Sequence, residues 1–205
     1  MSPLAQRLSH PGIMERAMRD KGYPIFTDPY DLNVIVVRTA DAHANTFNDF
    51  EVILFTGDDG ERYSRVFACT SDPGMFWRKN PMNVRGTAIL KEGRYPRMWK
   101  IGLHRGKPAL RQVGPCTVWR DNNKDATLDT GPGVPTQTGI FLINNHRAGV
   151  FSRFVGRWSA GCVVLARTRD LLKILWYVSH QKRHGHGSTV SVVVLHERDI
   201  PFVAS

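Results

Sequence analysis

The chain has no apolar run long enough to cross a membrane. Its longest, at 34–37 and 190–195, fall far short of the roughly 20 residues a spanning helix needs. Its first residues, Met-Ser-Pro-Leu-Ala-Gln-Arg-Leu-Ser-His-Pro, hold no apolar core of signal-peptide length. The expectation is a protein made in the cytoplasm without a signal peptide and without a membrane span. Cysteine is scarce too. Cys69, Cys116 and Cys162 are too widely spaced for a Cys-x-x-Cys metal pair, and the odd count leaves at least one unpaired in a monomer. That argues against a disulfide framework. Acidic residues are outnumbered, 18 Asp+Glu against 28 Lys+Arg, for a formal net charge of +10. That field favours polyanions: nucleic acid, acidic lipid headgroups, or wall polymers rich in carboxylates and phosphates. The cations are scattered, with one modest cluster at 181–184. No nucleic-acid motif of defined spacing occurs, so nucleic acid is not the expected partner.

What is present suffices for a globular fold. Apolar residues make up 41% and charged residues 22% of a chain of 205, enough for a real core. Neither an internal repeat nor a composition break divides it, so one domain over 1–205 is expected, monomeric and without a cofactor.

Residues 3–21 read as a helix, with Leu4, Leu8, Ile13, Met14, Ala17 and Met18 near one face, Pro11 interrupting the register and Gly22 ending it. This forms an N-terminal helical extension over about 1–22. From 32 onward the pattern turns to β. Segments 32–38, 49–56 and 62–70 read as a three-strand meander, the last two joined by the Gly-Asp-Asp-Gly-Glu turn at 57–61. Residues 75–84 read as a loop carrying Phe76, Trp77, Arg78 and Lys79, either lining a groove or anchoring the loop. Short strands are expected at 86–90, 97–103, 109–114 and 118–120. A Gly/Pro-rich loop follows at 131–139, then apolar strands at 140–144 and 163–165. Thr168 can cap a helix over 169–180 with Leu171, Leu172, Leu175 and Val178 inward, and 188–196 closes the chain as a strand. The fold class is mainly β, with an N-terminal helix and a helix after 165.

Two stretches carry chemistry-bearing side chains. In 121–129, the oxygens of Asp121, Asn123, Asp125 and Asp129 fall at positions 1, 3, 5 and 9 of a calcium-loop spacing. Ala126 and Pro132 stand where that loop has its glycine and its glutamate, and Asx-rich turns of this kind also form without an ion. In 144–165, His146 precedes Ser159-Ala160-Gly161-Cys162, the histidine and cysteine lying sixteen positions apart. A cysteine after small residues with an upstream histidine is what a thiol nucleophile and its base require. His146 is expected to draw the Cys162 pKa down from about 8.5 and speed its alkylation. The small residues would let backbone N–H groups face a carbonyl oxygen, and Asn145 or a backbone carbonyl would orient the imidazole. Cys69 and Cys116, with no histidine near them, read as small buried hydrophobes.

His146, the loop after it and Ser159-x-Gly161-Cys162 resemble the signature of the L,D-transpeptidase catalytic domain family, over about 139–165. The resemblance implies a β-sandwich-like catalytic domain acting on the stem peptides of bacterial peptidoglycan. Cys162 would then be the acylated nucleophile, His146 the general base, the Gly161–Cys162 backbone part of the oxyanion hole, and Ser159 a support for the turn. Ala160 stands where the family usually has a second histidine, Val164 where it often has arginine or asparagine, and Arg147 where a glycine is frequent. Arg147, Arg153 or Arg157 would supply the guanidinium for a substrate carboxylate, with Asn145 and Trp158 beside them. The implied reaction is hydrolysis or exchange of stem-peptide amide bonds, of the kind carried out by a lysin or toxin that reaches the wall or periplasm by release or injection. A non-catalytic wall-binding or nucleic-acid-binding module that keeps the fold is the alternative.

Overall fold

The computed structural model describes residues 2–41 and 45–202. The order is α1 (Pro3–Leu8), α2 (Pro11–Asp20), β1 (Asn33–Arg38), β2 (Asp49–Thr56), β3 (Arg62–Thr70), α3 (Met75–Lys79), β4 (Thr87–Leu90), β5 (Gly93–His104), β6 (Lys107–Gln112), β7 (Cys116–Asp121), β8 (Thr136–Gly139), β9 (Asn145–Arg147), β10 (Val163–Leu165), α4 (Thr168–Arg183) and β11 (Thr189–His196). The molecule is mainly β. Eight strands close into a barrel in the order β1-β11-β5-β6-β9-β10-β3-β2, and β4-β7-β8 form a separate three-stranded sheet. The eight-stranded sheet closes because β11 returns to pair with β1 in parallel and leaves no free edge there.

The β1–β2–β3 meander forms as expected, with Asn33 opposite Leu54 and Thr56 opposite Arg62 across antiparallel pairs. All six residues of β1 are buried, because both of its faces are covered. Val34 and Val36 point into the barrel core, while Ile35 and Val37 pack outward against Leu8, Met14 and Met18 of the two N-terminal helices. That explains an uninterrupted β-branched run where a half-exposed strand would alternate. Pro11 begins α2 at a position that needs no N–H partner, so the interruption of register splits one expected helix into two.

Five expectations are corrected. Residues 75–79, read as loop, form α3, which starts at the extended Gly74. The second half of the 131–139 loop pairs with β7 as β8. Residues 140–144 are not a strand. Leu142 adopts a positive φ of 60°, and side chains take the place of a ladder there: Gln112 Oε1 accepts from the Phe141 and Ile143 N–H groups, and Trp99 Nε1–H donates to Ile143 O. Thr168 lies inside α4 with its hydroxyl buried and unbonded among the described residues, and the cap position is Arg167. On α4 the inner face is Leu171, Ile174 and Val178, whereas Leu172 is 55% exposed. The i, i+3, i+7 spacing keeps the first three together, and Leu172 sits about 100° further round the helix.

Candidate active site

The site is built where the barrel's two shortest strands meet. β9 and β10 run parallel, with Val164 opposite His146 and Leu165 opposite Arg147. Parallel strands require a crossover, and 148–162 supplies it. Alternation along β9 turns Asn145 to the barrel interior and His146 to the other side. Cys162 clusters with Val164 and Ala148 on that other side. The result is that Cys162 and His146 line one cavity of about 400 Å3, together with Arg147, Arg157 and Trp158.

The turn that delivers Cys162 is fixed by Ser159, which is fully buried. Its Oγ accepts the Gly161 N–H at 3.1 Å and donates to the Cys162 carbonyl at 2.8 Å. Gly161 has φ +124°, and a Cβ there would lie 2.6 Å from the Ala88 carbonyl of β4. Only glycine allows both the conformation and the approach. The expected oxyanion hole is therefore narrower than a Gly161–Cys162 pair, because the Gly161 N–H is committed to Ser159. Among the described residues the Cys162 N–H has no hydrogen-bond partner, and it remains available.

Protonation follows from the contacts. His146 Nδ1 lies 3.0 Å from the Arg147 carbonyl, which can only accept, so the ring proton is on Nδ1. Nε2 is then a bare lone pair, buried and without a partner among the described residues. Burial lowers the His146 pKa to about 4, opposed by the hydrogen bond to that carbonyl and helped, to a lesser extent, by His104, Arg105 and Arg147. The Cys162 thiol donates to Leu142 O at 3.4 Å, and burial pushes its pKa up to about 11 despite the Asn144 backbone and Arg105. The expected lowering of the Cys162 pKa by His146 is thus corrected: the resting pair is a neutral thiol and a neutral imidazole. Leu142 holds its carbonyl at the thiol from the left-handed region, a conformation that costs a leucine on the order of 1 kcal/mol.

The other expected residues divide. Arg147 and Arg157 reach the cavity; Arg157 also stacks 3.8 Å over the Phe76 ring, and its carbonyl accepts from Trp77 Nε1. Trp158 lines the wall with its Nε1–H on Ser152 Oγ. Asn145 is not at the site. It faces the barrel interior, where its Nδ2 donates to Glu51, so of the two candidate hydrogen-bond partners the Arg147 carbonyl, not Asn145, holds the imidazole. The calcium-loop oxygens are organised around a cation the chain itself provides. The buried Arg78 guanidinium pairs with Asp121 at 2.8 Å and Asp125 at 3.3 Å, and donates to the Asp125 and Thr127 carbonyls. Asn123 is bonded to Asp125, and the Asp129 N–H to Asp121. Among the described residues no group of three His, Cys, Asp or Glu is arranged for a metal ion.

Sequence reasoning missed His104, Arg105 and Lys107, whereas Trp77, one of the residues offered as lining a groove, does line this cavity. His104 ends β5 and Lys107 begins β6. The turn between them, Arg105-Gly106, has positive φ at both residues, and the hairpin carries all three to the cavity. The described lining contains four cations, Arg105, Lys107, Arg147 and Arg157, and no carboxylate. No protein-family model matches the chain, and no curated protein matches it.

Proposed function

We propose that the chain is a cysteine-dependent enzyme that hydrolyses amide bonds in the stem peptides of bacterial peptidoglycan through an acyl-enzyme on Cys162. The observation that carries this reading is the shared cavity. Its lining holds both a thiol and an imidazole whose tautomer leaves Nε2 as a free base, with a rim of four cations. Peptides bearing carboxylates are the substrates such a rim concentrates. The family signature supplies the wall as the source of those peptides.

In the proposed reaction His146 Nε2 takes the Cys162 proton as sulfur bonds to the amide carbon. The Cys162 N–H donates to the oxyanion. The imidazolium gives its proton to the leaving amine as the C–N bond breaks. Water, deprotonated by the same Nε2, then attacks the thioester and returns the thiol and a free carboxylic acid. The neutral resting pair makes proton transfer part of the attack, since a preformed thiolate is rare at neutral pH.

Purified peptidoglycan incubated with wild type and Cys162→Ala, with mass analysis of the released fragments, tests the reading. New fragments gaining one water per cut, absent with Cys162→Ala, are expected. Identical profiles from the two proteins overturn it. A labelled amine added to the same assay separates hydrolysis from transfer, because only transfer puts the label into fragments.

A further inference from the structure

We propose that His104 is a positioning residue for His146: its ring covers one face of the imidazole and fixes its plane, while Asn144 fixes His104. The inference rests on reading Cys162 and His146 as the reacting pair. The two histidine rings lie parallel, centroids 4.3 Å apart and planes within 6°. His146 is held in its own plane by a single hydrogen bond, Nδ1–H to the Arg147 carbonyl. A ring with one such bond can swing about it, and a ring stacked on its face removes that freedom.

His104 is fixed in turn. Asn144 Nδ2 lies 3.0 Å from His104 Nδ1, and an amide NH2 only donates, so Nδ1 accepts and the proton of a neutral His104 ring is on Nε2. The Asn144 amide cannot be flipped without loss, because its Oδ1 accepts the Gln112 N–H at 2.9 Å. The Asn144 carbonyl accepts the Val163 N–H at 3.0 Å. One residue therefore ties the supporting imidazole to the backbone that leaves Cys162. Stacking also selects a charge state, since two imidazolium rings at this separation repel. The charges acting on His146 are His104, Arg105 and Arg147, and those on His104 are Arg105 and Arg111, with no carboxylate among them. The arrangement keeps His146 as a neutral base with Nε2 free.

The test is an NMR titration of histidine-labelled full-length protein as wild type, His104→Ala, His104→Gln and His104→Phe, with thermal unfolding read on each. Wild-type His146 is expected to titrate near 4. Removing the ring in His104→Ala or His104→Gln admits water to the imidazole face, and the midpoint should climb toward the ordinary value of about 6.5. His104→Phe restores a planar cover and should return the midpoint close to that of wild type. A His146 midpoint unchanged in His104→Gln, or moved as far in His104→Phe, overturns the proposal. His104→Gln decides the matter even if His104→Ala does not fold. The titration needs no substrate, so it fails separately from the wall-hydrolysis reading. A wild type that releases no fragments, with a moved midpoint in His104→Gln, removes the reaction and keeps the positioning.

Discussion

The reactivity of Cys162 against pH tests the electrostatics of the site most directly. With burial holding its pKa at about 11, only about one thiol in 10,000 is ionised at pH 7. An unperturbed thiol of pKa about 8.5 is about 3% thiolate at the same pH, so alkylation of Cys162 should run on the order of 300-fold slower than that of a free cysteine. The sign is that of an acid whose charged form is disfavoured: the rate climbs tenfold for each pH step from 7 to about 10 and bends only near 11. Cys162 should still react before Cys69 and Cys116. It lines the cavity, whereas burial raises both of their thiols, that of Cys116 to about 12. Iodoacetamide labelling at a series of pH values, with peptide mass mapping to separate the three cysteines, gives the profile. A rate that levels off below pH 9, or a reactive shoulder between pH 5 and 7, would refute the neutral pair and restore the thiolate–imidazolium arrangement.

Gly161→Ala places a Cβ 2.6 Å from the Ala88 carbonyl at φ +124°. A loss of about 2–3 kcal/mol follows, or roughly 5–10 °C in thermal midpoint for a domain this size; a midpoint within 1 °C of wild type would contradict the geometry. Burial raises the carboxyl of Glu51 to about 8, with Asn145 Nδ2 on one oxygen and Glu51 Oε1 without a partner among the described residues. A carboxyl that binds its proton more tightly when folded stabilises the protein below about pH 4.5 and progressively less up to about 8. Glu51→Gln should therefore remove a pH-dependent loss on the order of 4 kcal/mol across that window. Urea unfolding of both proteins at pH 5 and 8.5 reads it, and equal pH dependence in the two would rule the raised pKa out.

The strands that were legible are those whose pattern is local. β2 and β3 carry β-branched and aromatic residues up to a Gly-Asp-Asp-Gly-Glu turn, and their expected bounds, 49–56 and 62–70, are the observed ones. Segment 140–144 misled because its apolar residues have the composition of a strand while its hydrogen bonds go to Gln112 and Trp99, 29 or more residues away in the chain. Nothing in a window of eleven to eighteen residues contains that information. The 121–129 loop misled for a related reason. Two of its four oxygen-bearing side chains, Asp121 and Asp125, do pair with a positive charge, but the charge is Arg78, supplied from α3 and buried at 2% exposure.

The candidate site shows the same division more sharply. His146 and Cys162 could be paired from sequence because one crossover joins them, and a parallel β9–β10 alignment is the short route between two apolar segments. His104 could not. It reaches the imidazole only through barrel closure, in which β6 pairs with β9 at Leu110 and Asn145 and so carries the β5–β6 hairpin end over the cavity. Asn144 completes that link from the residue just before β9. Closure thus does two things at once. It hides β-edges, and it stacks a second imidazole on the first from a hairpin that, read alone, is only a turn with an arginine and a glycine. The part of the base's electrostatics that comes from His104 is therefore set by strand order, alongside the burial that is the larger cause of its lowered pKa. The same signature on a more open sheet, with water reaching the imidazole face, would hold a base of ordinary pKa.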